Sequence, residues 1–228
     1  RQRQMCIRDS YVMMELGQPM HAYDYDMVAD HTWIVRRARE GETLVTLDGQ
    51  KRDLNPNMIV IADPEKAIGL GGVMGGLATE VTGKTVNVML ESATFYGPSI
   101  RHTSKDLGLR SEASQRFERG VDTIRDHDAL NRAVHLLEEM GACKAVAGVV
   151  EDYPVPQEPV KIKALPEALR RRIGTEEITD AEMRSILEGL RFDVEPQADG
   201  SWLVTVPTWR NDCTCDADLS EEVARMYG

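Results

Sequence analysis

Apolar residues along this chain group first into short runs and later into stripes spaced by three or four. Trp33-Ile34-Val35, Thr43-Leu44-Val45-Thr46-Leu47 and Met58-Ile59-Val60-Ile61-Ala62 read as strands. Asp48-Gly49, between the second and third runs, predicts a hairpin turn, because both residues tolerate positive φ. Residues 69–76 (GLGGVMGG) are too rich in glycine to hold a helix. Residues 86–90 form another apolar strand, ending on Glu91. Helical character begins at 111–119 and strengthens over 122–140, where Leu130, Val134, Leu137 and Met140 lie on one stripe and Gly141 supplies a stop. Strands grouped first and helices later predict an α+β domain.

Three prolines within residues 153–159 (YPVPQEP) resist both helix and sheet and mark a linker. A compact second unit follows. Residues 165–173 predict a short basic helix, and Thr179-x-x-Glu182 predicts a capping box opening a helix with Met183, Ile186, Leu187 and Leu190 inward. Residues 193–195 and 202–206 are expected to pair across an Asp199-Gly200 turn, and 218–225 to be helical. The expected layout is one domain over 11–152, a linker over 153–159 and a smaller mixed domain over 160–228.

With 42% hydrophobic and 29% charged residues the chain has the composition of a globular protein. No apolar run is long enough to span a membrane, and no signal segment opens the chain. A net charge of −11 argues against indiscriminate binding to nucleic-acid phosphates, with Arg170-Arg171-Arg172 as a local basic exception. Cys6, Cys143, Cys213 and Cys215 have neither disulfide-framework nor zinc-site spacing, and the plain expectation is a reducing cytoplasm. Residues 1–10 (RQRQMCIRDS) lack any apolar period, resemble translated adapter sequence, and are expected to be a foreign leader. The chain breaks off at Met226-Tyr227-Gly228 within or just after a helix, so a fragment is expected.

Four stretches recur in one order. They are residues 15–24 (ELGQPMHAYD); residues 71–76 (GGVMGG) leading to Leu90-Glu91-Ser92-Ala93; residues 108–122 (GLRSEASQRFERGVD); and Val206-Pro207-x-Trp209-Arg210-x-Asp212 with Asp218-Leu219-x-Glu221-Glu222-Val223-Ala224-Arg225. In order and spacing they resemble the bacterial phenylalanyl-tRNA synthetase β subunit, over its B3/B4 editing domain and its B5 domain, from about residue 11 to the end. The resemblance implies post-transfer editing, the hydrolysis of tyrosine wrongly attached to tRNA(Phe). It also implies an α-subunit partner in an α2β2 heterotetramer, with ATP bound and the ligase reaction performed only in that α subunit. Where the family carries Thr-Asn before the tyrosine matching Tyr11, this chain has Asp9-Ser10, a departure in the editing pocket.

Editing closes a selectivity gap that binding alone leaves open, and its pocket must favour the tyrosine hydroxyl. The resemblance assigns Glu91 to that task, since a carboxylate accepts the phenol proton and phenylalanine leaves it unsatisfied. Residue chemistry alone equally allows a strand-end glutamate capping the next turn. Gly71 and Gly72 are expected to floor the pocket, or simply to make a tight loop. His21, expected in a loop after Pro19-Met20, is read either as holding the terminal ribose or the hydrolytic water, or as structural. No serine or cysteine has an evident histidine and carboxylate companion, so direct attack by water is expected rather than a covalent route. Asp212, Asp218, Glu221 and Glu222 have two readings. The resemblance implies a Mg²⁺ site shared with the α subunit; the local pattern Asp218-x-x-Glu221 equally describes a helix cap with a Glu221–Arg225 pair. A competing reading makes the fragment a non-catalytic tRNA-binding or assembly module, on the strength of the basic helix over 165–173 and the helix after it.

Overall fold

The computed structural model describes residues 10–228. The expected foreign leader lies outside the described residues except for Ser10, and the departure at Asp9 lies outside them too. The chain divides between Val150 and Glu151 into two compact units. Residues 151–160, with Pro154, Pro156 and Pro159 among them, form neither helix nor strand.

The first unit opens with residues 10–16 as helix α1, then β1 (Met20–Asp24), β2 (Ile34–Arg37), β3 (Thr43–Val45), β4 (Lys51–Asp53), β5 (Ile59–Ala62), β6 (Ala67–Leu70), β7 (Met74–Gly75) and β8 (Val88–Ser92). Helices α2 (Gly97–Asp106), α3 (Glu112–Phe117) and α4 (Asp126–Glu139) follow. An antiparallel sheet in the order β2-β5-β6-β7 carries the core. Its inner strands are apolar on both faces because both faces are covered. Val60 and Ala62 pack with Ile100 of α2 and Phe117 of α3, whereas Ile61 and Ile68 pack with Tyr23 of β1.

Two expectations are corrected here. The Asp48-Gly49 turn forms, with Gly49 at φ 77°, but it joins β3 to the charged strand β4 and not to the apolar run at 58–62. The polar strand is held by its turn: Thr46 Oγ1 donates to Asp48 Oδ1 at 2.6 Å, and Arg52 pairs with Asp48 at 2.6 Å. The stripe on α4 is also rotated. Its buried positions are Ala129, Ala133 and Leu137, and Met140 is exposed. Two alanines let α4 approach Val12 of α1 closely.

The second unit is a three-stranded antiparallel sheet, β10-β11-β9, with three helices. Its elements are β9 (Lys161–Ala164), α5 (Pro166–Ile173), α6 (Asp180–Gly189), β10 (Asp193–Pro196), β11 (Trp202–Thr205) and α7 (Asp216–Tyr227). The predicted capping box is present: Glu182 N–H donates to Thr179 Oγ1, and Thr179 N–H donates to Glu182 Oε2. Trp202, Val204, Leu169, Met183, Leu187 and Leu219 share one core.

Candidate active site

β1 and β8 form a two-stranded antiparallel ribbon in which His21 stands opposite Glu91, and Tyr23 opposite Met89. Side chains alternate along a strand, so the ribbon has two different faces. Ala22 and Leu90 pack against α4 through Leu137 and Ala133. His21, Tyr23 and Glu91 take the other face and wall a cleft of about 80 Å³. The expected loop at His21 is therefore a strand, because β8 supplies the ladder that Pro19-Met20 alone gives no hint of.

Tyr23 is buried, and its hydroxyl donates to Glu91 Oε2 at 2.5 Å. The His21 ring packs edge-on to Tyr23, with centroids 4.6 Å apart at 89°. Burial pushes the His21 pKa down to about 4, so the ring is neutral at physiological pH, and its Nε2 is buried without a partner. Burial raises the Glu91 carboxyl above its ordinary value, and the Tyr23 bond works in the opposite direction. Burial, then the neighbouring Glu91 charge, hold the Tyr23 phenol well above its ordinary pKa. A desolvated carboxylate, a neutral imidazole and a phenol in one wall make a site that discriminates hydrogen-bond donors.

The facing wall comes from the glycine-rich turn between β6 and β7. Gly71 and Gly72 line the cleft. Their missing side chains do a different job. A β-carbon on Gly71 would crowd Phe95 and Ile59, and one on Gly72, at φ 68°, would crowd Ile100. Both glycines make room for packing beneath the cleft. The position facing the reactive side chains is Gly75, where a β-carbon would overlap the His21 ring.

The stretch over residues 108–122 closes the cleft from the side. Ser111 caps α3 and donates its hydroxyl to Val73 O at 2.7 Å, tying the helix to the glycine turn. That tie sets Ala113 and Phe117 into the lining, with Phe95 edge-on to Phe117 at 5.1 Å. Gln18, fully buried, donates to Ala93 O at 2.9 Å and joins the segments that leave β8 and enter β1. Sequence reasoning missed Tyr23, Gly75, Phe95, Ala113 and Phe117 as parts of this site. The alternation His21-x-Tyr23 was the one local signal for Tyr23.

The acidic group in the second unit is arranged differently. Asp212 accepts two bonds from Arg210, at 2.8 and 2.7 Å, and Glu222 accepts from Arg210 at 2.8 Å and Arg225 at 2.6 Å. Those arginines hold the Glu222 pKa at about 2. Asp218 Oδ2 accepts the backbone N–H of Thr214 at 2.7 Å and of Cys215 at 3.0 Å, while Glu221 is exposed. The cap of α7 is Cys215, and Asp218 is its third helical residue rather than the cap itself. Among the described residues no group of three or more His, Cys, Asp or Glu is close enough to hold a metal ion. Mg²⁺ takes near-octahedral oxygen ligation, and carboxylates already engaged by arginines and amides do not fit it in this arrangement.

The basic patch on α5 is likewise engaged. Arg170 pairs with Asp180, Arg171 with Glu167 at 3.0 Å and Arg172 with Asp216 at 3.2 Å. Among the described residues no helix is long and apolar enough to cross a membrane.

Comparison with known proteins places this chain in a family. The B3/4 domain family matches residues 10–142, and the tRNA synthetase B5 domain family matches 162–228. The phenylalanine–tRNA ligase β subunit of Moorella thermoacetica is 47% identical over 219 residues, covering 96% of this chain. Those of Bacillus cereus and Streptococcus pyogenes are 43% and 44% identical over the same share. A solved N-terminal fragment of the phenylalanyl-tRNA synthetase β-subunit from Pyrococcus horikoshii aligns at 18% identity and a TM-score of 0.48, over 99% of this chain and 66% of that one. The chain belongs to the phenylalanine–tRNA ligase β subunit family, and it spans 27% of the length of the curated relatives it matches.

Proposed function

We propose that the first unit is an editing domain that hydrolyses tyrosine from mischarged tRNA(Phe). The observation that carries this reading is the single wall shared by Glu91, Tyr23 and His21, opposite Gly75. Glu91 has one oxygen bonded to Tyr23, whereas among the described residues Oε1 has no hydrogen-bond donor. A tyrosine ring entering the cleft lined by the glycine turn and Phe95 would donate a hydrogen bond from its hydroxyl to Oε1. Phenylalanine in the same place would strip water from a carboxylate and return nothing, a penalty of about 1–3 kcal/mol or more. The selectivity of a synthetic site is inverted by that arrangement.

Hydrolysis itself needs a water delivered to the ester carbonyl. His21, neutral and with an unpartnered Nε2, suits a hydrogen bond to that water or to the terminal ribose. Attack breaks the ester bond, and the ribose oxygen leaves with a proton. Ser111, whose hydroxyl reaches the glycine turn, is committed to Val73 O and to its own helix cap, in keeping with a route without a covalent intermediate. The cleft of about 80 Å³ is smaller than the roughly 150 Å³ that accepts benzene in an apolar cavity. Entry of a ring therefore calls on Met20 and Met74, flexible thioether side chains in the lining, to swing aside.

The B5-type unit would serve the assembled enzyme through contact with the α subunit and tRNA(Phe). The internal pairing of Arg170, Arg171 and Arg172 speaks against α5 as the main phosphate-binding element. The test is hydrolysis of tyrosyl-tRNA(Phe) by the complete α/β enzyme carrying this B3/B4 sequence. Release of tyrosine at the rate of an enzyme lacking the domain would overturn the proposal.

A further inference from the structure

We infer that Tyr23 is a specificity-determining positioning residue: its hydroxyl holds Glu91 through Oε2, so that the carboxylate presents its unbonded oxygen, Oε1, to a hydroxylated aromatic ring in the cleft. This inference rests on the editing reading above.

The geometry is specific. Tyr23 lies two residues along β1 from His21, on the same face, and its O–H reaches diagonally across the ribbon to Glu91 at 2.5 Å. The Tyr23 ring is fully enclosed, between His21 on one side and Trp33 on another, at 4.6 and 6.1 Å between centroids. Such a ring has no freedom to release the carboxylate and find another partner. A glutamate side chain has three rotatable bonds, and beside a cleft it would otherwise sample several positions. Donation from a fixed phenol removes that freedom and engages one oxygen, leaving Oε1 as the oxygen without a donor.

Charge follows from the same bond. The titratable groups of the cleft wall are Glu91, Tyr23 and His21; the remaining lining residues carry no charge. Asp126, at the start of α4, bonds Ser92 one residue further on, and Asp26 bonds Asn87 at the far end of the strand. The donor that favours the ionised form of Glu91 is therefore Tyr23, acting against burial. Without it the carboxyl keeps its proton to higher pH, and a protonated carboxyl no longer singles out a donor.

The test uses Tyr23→Phe, which keeps the ring and its packing, in the complete α/β enzyme. Hydrolysis of tyrosyl- and phenylalanyl-tRNA(Phe) is followed across pH. The expected result is a drop of roughly tenfold in the preference for the tyrosyl ester, falling in KM rather than in kcat. The acid limb of tyrosyl kcat/KM moves to higher pH. Glu91→Gln and the double variant Tyr23→Phe/Glu91→Gln complete a cycle. If Tyr23 acts through Glu91, the double variant loses no more preference than Glu91→Gln alone. An unchanged acid limb and preference in Tyr23→Phe, with Glu91→Gln impaired, overturns this inference and leaves the editing reading standing. An unimpaired Glu91→Gln overturns the editing assignment of Glu91 itself.

Discussion

His21 and Glu91 are direct cross-strand partners, 70 positions apart in sequence and opposite one another on the β1–β8 ribbon. Each is unusual alone: a histidine held neutral by burial and a carboxylate drawn toward its protonated form. Cross-strand pairing fixes their separation by backbone geometry rather than by mobile side chains. The wall of the cleft is thus as rigid as the ladder that carries it.

Removal of the carboxylate tests the wall most directly. Glu91→Ala in the complete enzyme should cost the bond to the tyrosine hydroxyl, about 1.5–3 kcal/mol, and so lower the preference for the tyrosyl ester by roughly ten- to a hundredfold or more. Deacylation rates for both esters measure it. A preference equal to that of the parent would separate Glu91 from substrate recognition and leave it as a partner for Tyr23.

The glycines make distinguishable predictions. Gly75→Ala pushes a methyl group against His21 and should impair editing, with the unit still folded because the methyl meets a side-chain ring and no backbone. Gly71→Ala pushes against Phe95 and Ile59 in the packed layer and should lower the melting temperature, by an amount matching about 1–3 kcal/mol of overpacking. Thermal melts beside deacylation assays separate the two. Equal melting temperatures for both variants would contradict the assignment of Gly71 to packing.

Acid stability carries a signature of its own. Burial raises Asp126 from 3.8 to about 6, with a hydrogen bond from Ser92 at 3.3 Å pulling the other way. Between those values the folded state binds the proton more tightly than the unfolded chain. The resulting stability is full below about pH 4 and is lost as pH rises through about 6. His21 runs oppositely, since its pKa falls from 6.5 to about 4 and stability is lost as pH falls through that window. Asp126→Asn should remove the first contribution, at most about 3 kcal/mol, and so make the chain relatively more stable near pH 7 than near pH 4. Urea unfolding at the two pH values reads the difference, and an unchanged difference would contradict it.

Elements whose signals are local were legible in the sequence, and those set by distant partners were not. The Thr179–Glu182 box and the pairing of β10 with β11 depend on residues a few positions apart, and both form as expected. β1 depends on β8, and nothing near Pro19-Met20 announces that ladder. α2 was missed because it is polar, with Ile100 its one large buried apolar residue. At the site, Glu91, Gly71, Gly72 and His21 do line one cleft. The position of Gly75 against His21, and of Tyr23 against Glu91, exists only once the ribbon is folded. Charge pairing was hidden for the same reason: Arg210 lies beside Asp212 in sequence, but its second partner, Glu222, is brought to it by α7.

That arginine decides the last prediction. Asp218 accepts two backbone N–H groups at the start of α7, where a carboxylate also meets the favourable end of the helix dipole. Asp218→Ala should therefore cost about 1 kcal/mol of stability. Glu222 is buried and bridges Arg210 and Arg225, so its removal leaves Arg210, itself only slightly exposed, with Asp212 as its one carboxylate partner. Breaking a largely buried pair costs more than losing a cap, and Glu222→Ala should cost roughly 3 kcal/mol. The order of the two variants is the reverse of what an Asp218 cap with a free Glu222 would give. Because the carboxylates are satisfied inside the chain, millimolar Mg²⁺ should leave the melting temperature of this polypeptide unchanged. A rise of several degrees with Mg²⁺, abolished in Asp212→Ala, would show that the carboxylates leave their arginines for the metal.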